Sequence, residues 1–126
     1  MKKYKVILTE EQLMLIAQCV EDCHRFACGQ TELSNTIGAI WSPHIIEVNE
    51  RLRMLPKYVN PDLQPGESYS WDGYGCKDKY QRKFIAKTYA IYREILHKVV
   101  NSGVYNRPTS TCEEGGELPI IEELKE

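Results

Sequence analysis

Residues 78–100 read DKYQRKFIAKTYAIYREILHKVV, with apolar side chains recurring at helical spacing on two neighbouring rows. A surface helix needs only one apolar stripe to cover a domain core. One row consists of Phe84, Thr88, Ile91, Ile95 and Val99, and the other of Ile85, Tyr89, Tyr92, Leu96 and Val100. The stretch predicts a long helix that begins after Asp78, ends at about residues 101–103, and contacts the core with one row and a second partner with the other.

The segment after this helix predicts a C-terminal hairpin. Residues 104–112, VYNRPTSTC, form a short strand-like run, and Leu118-Pro119-Ile120-Ile121 forms a second one. Between them, Gly115-Gly116 is suited to the turn. Residues 3–8 alternate in the same way and predict an N-terminal strand. The tail, residues 122–126, is expected to be solvated.

A second long helix is predicted near the N-terminus. Thr9-Glu10-Glu11-Gln12 matches a capping box, and Gly29 is a plausible left-handed end, so the helix should run to about Ala27. Its apolar positions cover more than half of the circumference. They are Leu13, Leu15, Ile16, Cys19, Val20, Cys23, Phe26 and Ala27, against a narrow polar strip of Gln18, Glu21, Asp22 and Arg25. Like the later helix, this one has more apolar face than so small a domain needs, which indicates packing between subunits.

The middle of the chain predicts a shorter helix over residues 45–55, followed by a loop rich in proline and glycine over residues 56–77. The loop contains Tyr58, Tyr69, Trp71 and Tyr74, a density of aromatic residues that disfavours disorder. We expect a lid that stacks on a planar ligand. Together these elements predict one α+β domain spanning residues 1–126, with a small antiparallel sheet, two long helices and a short one, oligomerising through the helices.

Composition narrows the classes of function. A net charge of −2 on 126 residues gives no broad basic field for a nucleic acid polymer. No apolar run reaches the length of roughly 20 residues that a membrane span needs, and residues 1–8 lack a signal-peptide core. Five cysteines, an odd number, are most simply reduced thiols, which predicts a cytoplasmic protein.

The candidate reactive residues do not combine into a catalytic or metal site. Cys19, Cys23, His24 and Cys28 do not converge on one point as zinc ligands must, because His24 points away from Cys23 on a helix. No histidine lies in a recognisable nucleophile motif, and Gly115-Gly116 lies among glutamates, which are unsuited to phosphate. We therefore expect no metal, no cofactor and no enzymatic activity.

The remaining polar and aromatic residues are those of a nucleotide pocket. Aromatic rings stack on bases, asparagine pairs with adenine, and arginine and threonine donate to phosphate oxygens. The predicted ligand-binding residues are Arg82, Tyr89, Tyr92, Arg93, Asn106, Arg107, Thr109 and Thr111. The alternative interpretation is structural, since tyrosines often complete a core and arginines often extend out of one.

Three stretches resemble the phage anti-Thoeris sponge family, the first anti-defence type described. The first reads Leu8-Thr9-x-x-Gln12-Leu13-x-x-Ile16 and continues as Val20-Glu21-x-x-x-Arg25-x-x-x-Gly29-Gln30. The second contains Tyr89, Tyr92 and His97 in the long helix. The third reads Pro108-Thr109-x-Thr111-Cys112-x-x-Gly115-Gly116-x-x-Pro119-x-Ile121. The similarity covers about two-thirds of the chain and is weakest over residues 37–77.

The resemblance implies a protein that binds cyclic ADP-ribose isomers made by bacterial immune sensors and sequesters them without cleavage, in the host bacterial cytoplasm. It also implies a homodimer or homohexamer with the pocket at a subunit interface, and in some members separate sites for cyclic trinucleotides. Two other interpretations stay open. One is an interaction module that binds a host protein through its apolar helix faces, and the other is an enzyme acting on a nucleotide.

A second ligand site is predicted at the end of the first helix, around Arg25 and Gln30. The ordinary role of Arg25 is an ion pair with Glu21, four residues earlier. The backbone amides of the small segment after Arg25 could, however, meet a phosphate beside the guanidinium. Symmetry in a higher oligomer would bring several copies of Arg25 together around a cyclic trinucleotide.

Overall fold

The computed structural model describes residues 1–101 and 120–125. In order along the chain, these residues form β1 (Lys3–Ile7), α1 (Glu10–Cys28), α2 (Leu33–Thr36), α3 (Ile45–Arg53), α4 (Pro56–Val59), α5 (Lys79–Asn101) and β2 (Ile120–Leu124). The predicted α+β class is confirmed: a small antiparallel sheet accompanies two long helices and shorter ones. The predicted strand at residues 104–112 and the turn at Gly115-Gly116 lie outside the described residues.

The two chain ends meet in the sheet. β1 pairs antiparallel with β2, in a register that places Lys3 opposite Leu124 and Ile7 opposite Ile120. Residues 122–125 are exposed, as predicted for a solvated tail, but 122–124 are not an unpaired tail, because they pair with β1. The register places Lys5 opposite Glu122, and opposite charges are a favourable pair across antiparallel strands.

The caps of α1 are those that the sequence predicts. Thr9 Oγ1 accepts from the Gln12 amide at 3.1 Å, and Gln12 Oε1 accepts from the Thr9 amide at 2.9 Å, which completes the capping box. At the other end, Gly29 adopts φ 103°, and the amides of Gly29 and Gln30 donate to the carbonyls of Phe26 and Arg25. This Schellman arrangement stops the helix one residue beyond the predicted position.

The buried face of α1 differs from the expected one. Ala17, His24 and Cys28 are its buried residues, and α1 packs mainly against α5. On a helix of 3.6 residues per turn, the opposite side carries the stripe of Leu15, Ile16, Cys19, Cys23 and Phe26, all of which are exposed. The most apolar side of α1 thus points away from the core of its own chain.

α5 begins as predicted, since Asp78 Oδ1 accepts from the Gln81 amide at 2.8 Å. The residues that it buries come from both predicted rows: Ile85, Thr88, Tyr92 and Val99. These four follow one another at intervals of three, four and seven residues, which places them on a single face. Phe84 and Ile91 stay exposed beside it, so α5 also has apolar surface left over.

The loop after α4 contributes to the core. Leu63, Tyr69 and Cys76 are buried together with Cys28 of α1 and Ile85 of α5. The Tyr69 amide donates to the Cys28 carbonyl at 2.8 Å, which ties the loop to the end of α1. The expectation of a lid is wrong for this part of the loop, because a segment that carries core residues cannot lift without opening the core.

α3 is attached to the segment after α1 and to the start of α2 by polar contacts rather than by deep burial. The Leu33 amide donates to Asn49 Oδ1 at 2.9 Å, and the Thr31 hydroxyl donates to the Leu52 carbonyl. α3 ends two residues before the predicted boundary, and Pro56 then opens α4 at a first-turn position that tolerates proline. In the part of the chain that the structure describes, no helix has the length and apolar character needed to cross a bilayer.

Candidate functional site

Four aromatic side chains from three elements meet beside α5; we call His24, Trp71, Tyr89 and Tyr92 the aromatic cluster. The Tyr89 ring lies 4.8 Å from Trp71 and 5.4 Å from Tyr92, measured between centroids. His24 lies 5.5 Å from Tyr89 and 5.4 Å from Tyr92. Tyr89 therefore contacts the other three rings, and these separations are typical of favourable aromatic pairs.

A guanidinium lies beside this cluster. Tyr89 and Arg93 are four residues apart on α5, so their side chains are neighbours. The Arg93 guanidinium carbon lies 5.8 Å from the centre of the Tyr89 ring. Among residues 1–101 and 120–125, no carboxylate forms an ion pair with Arg93. Arg93 is exposed, so it places a positive charge at the edge of the cluster.

The members of the cluster differ in how much ring surface they offer. Tyr92 is only 7% exposed, and burial raises the pKa of its phenol. Tyr89 is half-buried, whereas Trp71 is 60% exposed. Of the two tyrosines predicted to stack on a base, Tyr89 is the accessible one, and Trp71 offers a larger open ring beside it.

His24 has a defined tautomer. Its Nδ1 lies 2.9 Å from the Ile85 carbonyl, which can only accept, so Nδ1 carries the hydrogen. Nδ1 is also 3.1 Å from Thr88 Oγ1, whose own hydroxyl donates to the Phe84 carbonyl. Burial lowers the pKa of His24, and the ring is therefore neutral at pH 7.

The free nitrogen of His24 faces a thiol. Cys28 Sγ lies 3.7 Å from His24 Nε2 and 3.8 Å from the Ser70 carbonyl oxygen. Burial raises the pKa of Cys28 to about 11, so the thiol stays protonated. A catalytic cysteine beside a histidine needs a lowered pKa. The pair is thus suited to holding α1, α5 and the loop together, and poorly suited to nucleophilic attack.

Arg82, a predicted ligand residue, has a structural contact instead. Its Nη1 donates to the Cys76 carbonyl at 2.9 Å, and its backbone lies against Gly73. The structure therefore separates Arg82, which holds the loop, from Tyr89, Tyr92 and Arg93, which come together. The other four predicted residues, Asn106, Arg107, Thr109 and Thr111, lie outside the described residues.

At the predicted second site, Arg25 and Gln30 contact each other: Arg25 Nη1 donates to Gln30 Oε1 at 2.9 Å. Arg25 Nη2 lies 3.2 Å from Glu21 Oε1, the i,i+4 ion pair that was the alternative interpretation. The expected use of local backbone amides for phosphate is wrong for Gly29 and Gln30, because both donate to helix carbonyls. The negative end of the α1 dipole also disfavours an anion here.

Sequence analysis did not link His24 to α5, and it placed Trp71 in a lid. The i,i+4 spacing of His24 and Cys28 is a signal that both face the same way, but it does not identify what they face. Across the described ranges, no group of three or more histidine, cysteine, aspartate or glutamate side chains is arranged to hold a metal ion.

Comparison with models of protein families, with curated proteins and with solved structures gives no match for this chain.

Proposed function

We propose that the protein binds a cyclic ADP-ribose isomer and sequesters it. One observation of the structure carries the proposal: the exposed ring of Trp71 packs on the half-buried ring of Tyr89, and the Arg93 guanidinium, which has no ion-pair partner among the described residues, lies beside Tyr89. Aromatic rings can stack on a purine base, and an arginine guanidinium can bind its phosphate. The resemblance to the anti-Thoeris sponge family independently supports the same class of ligand.

In the proposed complex, the adenine stacks on the aromatic pair and the pyrophosphate is held by guanidinium and hydroxyl groups. Arg93 supplies one guanidinium. The resemblance assigns further contacts to Thr109 and Thr111, and the chemistry of the neighbouring segment adds Asn106 and Arg107. A neutral His24 beside a protonated Cys28 favours binding without cleavage, because neither group is poised as a nucleophile.

A homo-oligomer, dimer or hexamer, is part of the proposal. Leu15 is 61% exposed and Phe26 44% exposed on the outer side of α1. Phe84 and Ile91 add exposed apolar surface on α5. Soluble monomers rarely leave such stripes uncovered, and the resemblance implies that subunits pack through their helices.

A cyclic trinucleotide at Arg25 is a weaker part of the proposal. Such a ligand would first have to displace Glu21 and Gln30 from the guanidinium.

The test is a retention experiment with recovery of the ligand. The protein is incubated with a cyclic ADP-ribose isomer, washed by ultrafiltration and denatured, and the released nucleotide is identified by mass spectrometry. We expect intact ligand from the wild type and none from the Arg107→Ala, Thr109→Ala double variant. Recovery of a converted product would favour an enzyme, and no retention by the wild type would contradict the proposal.

A second candidate function is an interaction module for a host protein, favoured by the outward stripe on α1. In that case the wild type would retain no nucleotide, and no second copy of the chain would cover its apolar stripe when the host protein is absent. Sedimentation distinguishes the two, since the nucleotide-binding proposal requires the stripe to be covered by another copy of the chain.

A further inference from the structure

Trp71 lies in a turn whose backbone is fixed at several points. The Gly73 amide donates to the Ser70 carbonyl at 2.8 Å, and the Tyr74 amide donates to Asp72 Oδ1 at 3.0 Å. Gly73 has φ +82°, and a Cβ there would lie 3.0 Å from the Arg82 carbonyl oxygen. The turn that contains Trp71 and the helix α5 are thus in close backbone contact.

The residues on either side of the turn are held as well. Tyr69 and Cys76 are buried in the core. Through the Tyr69 amide the turn is bonded to α1, and through the Cys76 carbonyl it is bonded to Arg82 of α5. Trp71 therefore projects from a segment whose two ends are both anchored.

Despite this anchoring, most of the Trp71 side chain is open. One part of the indole contacts Tyr89 at an interplanar angle of 36°, and 60% of the residue remains exposed. Holding a large apolar ring in water on a fixed backbone contributes little to folding. The same arrangement lowers the entropic cost of binding, because the ring need not be ordered when a ligand arrives.

We infer that Trp71 is the principal stacking residue for the base of an adenine nucleotide carrying a diphosphate, with Arg93 contacting the adjacent phosphate. This inference rests on the proposed function and deepens it, since Trp71 takes the role that the sequence assigned to Tyr89 or Tyr92. Tyr89 supports the indole from beside it, and Tyr92 supports Tyr89. The turn is a preformed platform and does not close as a lid.

The chain has two tryptophans, Trp41 and Trp71, which allows a direct spectroscopic test. In the Trp41→Phe variant, all tryptophan emission comes from Trp71. We expect saturating ADP-ribose or a cyclic ADP-ribose isomer to quench this emission. Calorimetry of Trp41→Phe should give the affinity of the wild type.

Affinity in the other variants completes the test. Trp71→Ala should weaken binding by about 5- to 150-fold, the range expected for loss of one base stack, and Trp71→Phe should weaken it less. Far-ultraviolet circular dichroism checks that each variant is folded. If Trp71→Ala does not fold, Trp71→Phe and the emission of Trp41→Phe decide the question.

The outcomes separate the inference from the proposed function. Unchanged affinity in Trp71→Ala, or unquenched emission while calorimetry shows binding, would overturn the role of Trp71 and leave the proposed function standing. Failure of the wild type to bind either nucleotide would overturn both.

Discussion

The side chain of His24 joins the two long helices. It donates from Nδ1 to the Ile85 carbonyl and the Thr88 hydroxyl of α5, while Nε2 faces Cys28. Protonation would place a charge among buried groups. Burial is the largest effect on the pKa of His24 and lowers it. The hydrogen bond to the Ile85 carbonyl opposes this, Arg25 lowers the pKa further, and Glu21 raises it by a smaller amount.

This environment predicts a pH dependence of stability. The pKa of His24 is lowered by burial, so below the unfolded value of about 6.5 the unfolded chain binds more protons than the folded one. The contribution of neutral His24 is therefore complete above pH 6.5 and is lost as the pH falls from there through the folded pKa. We expect the urea midpoint to be lower at pH 5.5 than at pH 7.5.

The control for this prediction is His24→Gln, which removes the titrating group. Its midpoint should change less between the two pH values than that of the wild type. An equal change in both proteins would show that groups other than His24 cause the effect.

For single residues, sequence analysis predicted the chemistry that a side chain offers better than the residues that it contacts. Cys19 and Cys23 were counted among the apolar positions of the first helix, but both are exposed. Arg82 was expected at the ligand site, yet it bonds to Cys76. The long side chain of an arginine reaches several places from one helical position, and tertiary packing decides between them.

Among the elements, the turn around Trp71 depends on glycine. Gly66 and Gly73 have nearly the same positive φ, +86° and +82°, but a Cβ at Gly66 would meet nothing within 4 Å. Gly66→Ala therefore isolates the backbone strain, which costs about 1–3 kcal/mol. Gly73→Ala adds a collision with the Arg82 backbone, so it should lower the free energy of unfolding further.

Urea denaturation of the two variants measures this difference, with Gly38→Ala as a third protein, because Gly38 has open space. Equal destabilisation by Gly66→Ala and Gly73→Ala would mean that the contact between the turn and α5 is looser than described.

Helix ends could be predicted because their signals are local. Thr9 and Gln12 form reciprocal hydrogen bonds within one turn, and Gly29 adopts the left-handed conformation that ends the helix. The buried face of α1 could not be predicted in this way. Its most apolar stripe is outward, and a sequence pattern does not distinguish a core inside the chain from a contact between chains.

For the whole molecule, that stripe predicts an oligomer. The wild type should sediment as a dimer or larger, not as the 14.6 kDa chain. Leu15→Glu would place a charge in the contact and should shift the protein towards monomer. Ile46→Glu is the matched control, since Ile46 is exposed on a different helix, α3. A wild type that stays monomeric at micromolar concentration would contradict the prediction.

The sheet supports the same conclusion. Tyr4, Val6 and Ile7 of β1 are all exposed, as is Ile121 of β2. A two-stranded sheet alone is marginally stable in water. The α+β class and the positions of most elements followed from the sequence. The partner of these exposed apolar surfaces could not be predicted, because an apolar pattern does not specify what it contacts.

The most direct test of nucleotide sequestration is a crystal structure of the protein grown with a cyclic ADP-ribose isomer. The account predicts an intact cyclic nucleotide, with its base on Trp71 and a phosphate oxygen within hydrogen-bond distance of Arg93. A cleaved nucleotide, or a nucleotide bound away from Trp71, Tyr89 and Arg93, would contradict it.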